Sequence, residues 1–145
     1  MEPVDSVAFP GGAESEPLWA ERISRQLLER IGPRWRHTLG VVDRARAIAV
    51  GLEDSQAELL LAAAYLHAVG YAPELAQTGF HPLDGARFLR AAGHERVAGL
   101  VAYHSGAEAE ARERDLVEEL SEFADEQSLV SRALTSGRCS EPAGD

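Results

Sequence analysis

Leu59–Pro73, LLLAAAYLHAVGYAP, decides the fold. From Leu59 to Leu66 no position is charged, and apolar side chains point in every direction around a helix. The segment therefore reads as a helix buried on all sides, with Leu61, Ala64 and Leu66 at the bundle centre. His67 stands at its end, and Val69-Gly70 reads as a glycine stop. An imidazole at the end of a buried helix has two readings. It is either a core histidine bonded to a neighbouring carbonyl, or a metal ligand.

Length and composition narrow the surroundings of that helix. The chain has 145 residues, 45% of them hydrophobic and 26% charged, which suits one soluble globular domain. No apolar run reaches the roughly 18 to 20 residues of a membrane span, and the first residues lack the basic and apolar parts of a signal peptide, so a cytoplasmic location is expected. One cysteine, Cys139, excludes a disulfide framework and Cys-rich zinc patterns. With 24 acidic and 14 basic side chains the net charge is −10, which argues against binding duplex nucleic acid. All the basic residues are arginine, so Schiff-base chemistry and the lysine of phosphate-binding loops are excluded, and any fixed cation for an anionic ligand is a guanidinium.

Outward from the core helix, residues 1–16 are rich in Pro, Gly and acidic residues and read as a flexible arm, 17–135 as the domain, and 136–145 as a flexible tail. Leu18, Ile23, Leu27 and Ile31 fall at helical spacing before the Gly32-Pro33 break. A second helix follows with Trp35, Leu39, Val42, Ala45 and Ala49 on one stripe and His37, Val41, Arg44 and Ile48 on another side. Asp54 or Ser55 is the expected N-cap of the core helix. After it, YAPELAQTGF reads as a loop. HPLDGARFLRAAG is a helix with His81 at its mouth, Asp84 in its first turn and Gly93 at its end. In HERVAGLVAYHSG, Val97, Leu100, Val101 and His104 share the apolar face, while His94 reads as a solvated cap. Ala107–Phe123 is expected to be one acidic helix burying Leu116, Val117, Leu120 and Phe123. A short helix around Leu129–Leu134 completes an all-α bundle of about six to seven helices, with no period-two pattern long enough for a sheet.

Four histidines thus converge on the bundle interior from facing helices, a way in which bundles build metal sites. With RHTLGVV around His37, AAYLHAVGYAP around His67, GFHPLDGARFL around His81 and AYHSGAE around His104, the chain resembles the HD-domain superfamily of metal-dependent phosphohydrolases. The resemblance runs from about residue 20 to about residue 135. It implies His37 and His67 as primary metal ligands, His81 and His104 as a second set, and a divalent transition metal (Mn, Fe or Zn) as cofactor. It also implies a small phosphorylated molecule or nucleotide as ligand. Arg44, two turns beyond His37, and Arg87, near His81, are the candidate phosphate contacts, and an ion pair of Arg87 with Asp84 is the competing role.

Two departures shape the functional expectation. Where the family carries His-Asp, this chain has His67-Ala68, and a methyl group binds no metal. The family's closing aspartate has no counterpart after Asp125 before the terminal Asp145. The resemblance therefore implies a phosphohydrolase with weakened or lost activity. The alternatives are an inactive ligand- or metal-sensing domain, or a helical interaction module using the acidic helix.

Overall fold

The structure, a computed structural model, describes residues 14–139. The expectations for the arm over residues 1–13 and for the tail beyond 139 lie outside the described residues. In chain order the helices are α1 (Glu16–Leu28), α2 (Gly32–Ala49), α3 (Asp54–Leu66), α4 (His81–Ala91), α5 (Glu95–Ala102), α6 (Ala107–Glu113), α7 (Val117–Leu120) and α8 (Leu129–Cys139). Two 3-10 turns, η1 (Val69–Tyr71) and η2 (Pro73–Leu75), lie between α3 and α4. The described residues contain no strand, so the bundle is all helical, as its sequence pattern requires. The last helix extends to Cys139, past the boundary at 135 drawn from the sequence.

Helix α3 is the centre. It packs against α1, α2, α5 and α8, and Leu59, Leu60, Ala62, Ala63, Ala64, Tyr65 and Leu66 are all buried. Three consecutive alanines keep its surface low, so neighbouring helices approach closely on several sides. Leu61 is only partly buried and packs on the margin of the core, so it does not share the central position of Ala64 and Leu66. The helix begins at Asp54, so its cap lies one residue before the nearer of the two expected. Glu53 is the N-cap, and it and Gln56 form a reciprocal capping box that satisfies backbone donors at the first turn.

The flanking helices bury faces slightly rotated from those read in the sequence. In α1 the buried residues are Trp19, Ala20, Ile23, Ser24 and Leu28, whereas Leu18 is 56% exposed. In α2 Trp35, Thr38, Val41, Val42 and Ala45 face inward, and Leu39 points outward. In each case a leucine and its neighbour compete for one face, and packing within the bundle buries the neighbour. Periodicity alone cannot resolve adjacent positions on a helix with apolar residues on two sides.

The expected acidic helix is two helices. At Asp115 φ is +61°, and the Leu116 N–H donates to Ala111 O at 2.8 Å, with Asp115 N–H to Arg112 O at 3.3 Å. This is the Schellman arrangement, with aspartate in the left-handed position that glycine usually takes. The same pattern closes α4, where Gly93 has φ +91° and His94 N–H donates to Leu89 O at 2.9 Å. After the break, Leu120 and Phe123 are buried and Leu116 is half-buried, but Val117 is 42% exposed. No described helix is long and apolar enough to cross a membrane.

Candidate functional site

His67 is the C-cap of α3, and His104 follows the C-cap of α5. Both use the same local device. His67 Nδ1 lies 2.8 Å from Ala64 O, and His104 Nδ1 lies 2.7 Å from Val101 O, each a carbonyl three residues back in the last helical turn. A carbonyl only accepts, so Nδ1–H is the donor in both rings and the lone pair resides on Nε2. Both residues are buried. The helix ends thereby set the tautomer and aim of two imidazoles.

The other two histidines join them. The centroid of His37, from α2, lies 5.6 Å from that of His67, His67 lies 5.3 Å from His104 in an edge-on contact, and His104 lies 5.8 Å from His81 at the start of α4. Four helices thus bring together the four histidines singled out in the sequence. The fifth, His94, lies elsewhere. Its ring stacks on Trp19 at 4.0 Å and its Nδ1 lies 2.7 Å from Glu16, so it ties α1 to α5 and is half-buried, not fully solvated.

Gly70 has a role other than stopping a helix. It is not among the glycines with positive φ; instead, a Cβ there would lie 2.0 Å from His81 O and 2.9 Å from Gly85 N. Only hydrogen fits between η1 and α4. This close approach sets Tyr71 flat on His81, with centroids 3.9 Å apart and planes 19° apart. Asp84 also departs from its expected part. It is buried, and its carboxylate accepts hydrogen bonds from the N–H groups of Gln77, Thr78 and Gly79 at 3.0 to 3.2 Å and from the Thr78 hydroxyl at 2.9 Å. No ion pair joins it to Arg87, because loop 77–79 already occupies both of its oxygens. Arg44 and Arg87 are both partly buried.

On one side the cluster reaches a cleft of about 460 Å³. His104 lines it together with Tyr103, Asp125, Gln127, Ser131 and Arg132. Burial, and then the charges of Asp125 and Glu108, raise the pKa of the Tyr103 phenol. The protonated phenol donates to Leu120 O at 3.0 Å. At the same cleft the Glu126 carboxylate receives a two-pronged contact from Arg96, which holds its pKa below the ordinary value.

The donor set does not match a carboxylate-bridged metal centre. The tautomers of His67 and His104 are those of ligating imidazoles, but the positions that could supply a bridging carboxylate beside them do not: Ala68, 1% exposed, contributes a methyl group, and Asp84 faces its own loop. Among the described residues no three His, Cys, Asp or Glu side chains converge so that they could hold a metal ion. The imidazoles adjoin ring to ring, His37 to His67, His67 to His104 and His104 to His81.

Sequence reasoning missed Tyr71 and the stack that it makes. The GYAP stretch has the composition of an ordinary loop, and only the glycine before the tyrosine signals a close backbone approach.

Comparison with protein families matches the HD domain over residues 34–134, most of the chain and all four clustered histidines. No curated protein and no solved structure matches it. The chain belongs to the HD-domain family, which places it in the superfamily of metal-dependent phosphohydrolases.

Proposed function

We propose that this HD domain keeps the pocket of its superfamily as a binding site for a small phosphorylated molecule, such as a nucleotide, and that its hydrolysis is weak or lost. The observation that carries this reading is Ala68, buried directly after His67 where the family's His-Asp pair has its carboxylate. Hydrolysis of a phosphate ester needs charge neutralised at the phosphoryl oxygens and a water activated for attack, both of which a carboxylate-anchored metal supplies when bound. Four imidazoles without an anion hold a divalent ion less firmly, and hard Mg²⁺ least of all. His37, His67, His81 and His104 would hold a single Mn, Fe or Zn ion only after their rings turn toward one point, so low occupancy is expected. Arg44 and Arg87 are the proposed phosphate contacts. The alternative of an interaction module loses its premise of one continuous acidic helix, since the run breaks at Asp115.

The test is turnover of a generic phosphate ester with added Mn²⁺, in wild type and in Ala68→Asp, alongside elemental analysis of both proteins after desalting. Wild type should be at or near the background rate with metal below stoichiometry, while Ala68→Asp should gain metal and measurable activity. A wild-type rate well above background that Ala68→Asp leaves unchanged would show that the missing carboxylate is immaterial and that the domain is an ordinary hydrolase.

A further inference from the structure

The stack at the edge of the imidazole cluster has a third layer. The guanidinium carbon of Arg34 lies 3.8 Å from the centroid of Tyr71, whose ring also stacks with His81 at 3.9 Å. Distances this short place both groups over the face of the ring, and two groups cannot share one face, so Tyr71 is sandwiched between Arg34 and His81. Arg34 and His37 lie one turn apart on α2 and therefore share a side of that helix. Arg34, Tyr71, His81, His104, His67 and His37 are thus linked by successive contacts that begin and end on α2.

In this group Arg34 is the fixed cation. Other arginines of the fold are committed to carboxylates, as in Arg22 with Glu14, Arg90 with Glu95, Arg96 with Glu126 and Arg114 with Glu110. Among the described residues no carboxylate pairs with Arg34, although the chain carries a net charge of −10. Stacking on an aromatic face uses the π surface of a guanidinium and leaves its N–H donors free in the plane. The planar fork is therefore held still by Tyr71 with its donors available to an anion, an arrangement suited to two phosphoryl oxygens.

We propose that Arg34, held by Tyr71 beside His81 at the edge of the histidine cluster, is an anion-binding residue and grips the phosphoryl group of the ligand. Tyr71 acts through Arg34 and His81 and is a positioning residue. This assignment rests on the phosphate-binding reading given above and adds to Arg44 and Arg87 a cation that the sequence did not single out.

Calorimetric titration with inorganic phosphate tests it on the full chain. Arg34→Gln should weaken binding by about tenfold or more, the usual consequence of losing a charge-assisted pair. Tyr71→Leu should weaken it by a smaller factor, and Tyr71→Phe, which keeps the aromatic face, should bind as wild type does. Arg22→Gln, at a guanidinium already paired with Glu14, should also bind normally and so exclude a mere change of net charge. Melting temperatures check folding, and Arg34→Lys, which keeps the charge without the planar fork, should bind at an intermediate level should Arg34→Gln prove unstable. If His37→Ala loses phosphate and Arg34→Gln does not, the role of Arg34 is overturned and the pocket reading stands. If wild type binds no phosphate, both fall together.

Discussion

Two buried positions on either side of the 3-10 turns, Ala68 and Asp84, show how this core treats a carboxylate. Asp84 lies in the first turn of a helix whose preceding loop turns three N–H groups and a hydroxyl onto it, and these stand in for the water that the charge loses. Ala68 is as deeply buried, and it directly follows His67, whose Nδ1–H is already given to the Ala64 carbonyl. Without the donor loop that Asp84 has, a carboxylate there is expected to need a metal ion or a protonated imidazole as its partner. The comparison teaches that burial alone does not exclude an acid from this fold; the supply of hydrogen-bond donors does.

The largest effect should come from forcing a carboxylate into the unprepared position. Measured at pH 8.5, above the ordinary imidazole range, metal-free Ala68→Asp should lose about 5 kcal/mol of stability, the scale of an unpaired buried charge. Added Zn²⁺ or Mn²⁺ should restore much of it. A variant as stable as wild type under chelation would mean that donors or water reach position 68 after all, and the contrast with Asp84 would collapse.

Removing the carboxylate from the prepared position should cost less, because water can reach the exposed amides of Gln77 and Gly79 once the acid is gone. Asp84→Ala is expected to lose about 3 kcal/mol, with faster hydrogen exchange at the N–H groups of Gln77, Thr78 and Gly79. Unchanged exchange at these three amides would show that the loop does not depend on Asp84.

Glu126 supplies the smallest effect, as a carboxylate paired across the surface with the mostly exposed Arg96. Its folded pKa is depressed, chiefly by that hydrogen bond, so its contribution is present above the unfolded carboxylate value and is lost as pH falls through the lower folded value. Wild type should exceed Glu126→Gln by less than about 1 kcal/mol at pH 7, and the gap between the two denaturation midpoints should shrink as pH falls below the ordinary carboxylate range. A gap that does not shrink on acidification would place the contribution in packing and not in charge.

Much of the site is legible in the amino-acid sequence, because helix ends announce themselves. His67 closes an uncharged run and His104 closes an apolar face, and a helix end leaves carbonyls to which an imidazole can donate. His81 is marked by the proline that follows it. The stack of Arg34 on Tyr71 is not legible in this way, since it joins a first-turn residue of α2 to a 3-10 turn 37 positions later through a backbone contact that only Gly70 permits. The split of the acidic run at Asp115 is equally hidden, because aspartate takes the left-handed conformation far less often than glycine and gives no stop signal.

The sequence by itself determined the helical class, the central place of α3, the inward direction of four histidines and the absence of a carboxylate after His67. These follow from periodicity and residue chemistry, which act over one or two helical turns. Tertiary structure alone decided which of two adjacent residues is buried in α1 and α2, that Asp84 serves its loop and not Arg87, and that the four rings adjoin with the stack of Arg34 on Tyr71 beside His81. Those outcomes depend on contacts between segments far apart in the chain, where packing and the satisfaction of buried polar groups outweigh local preference.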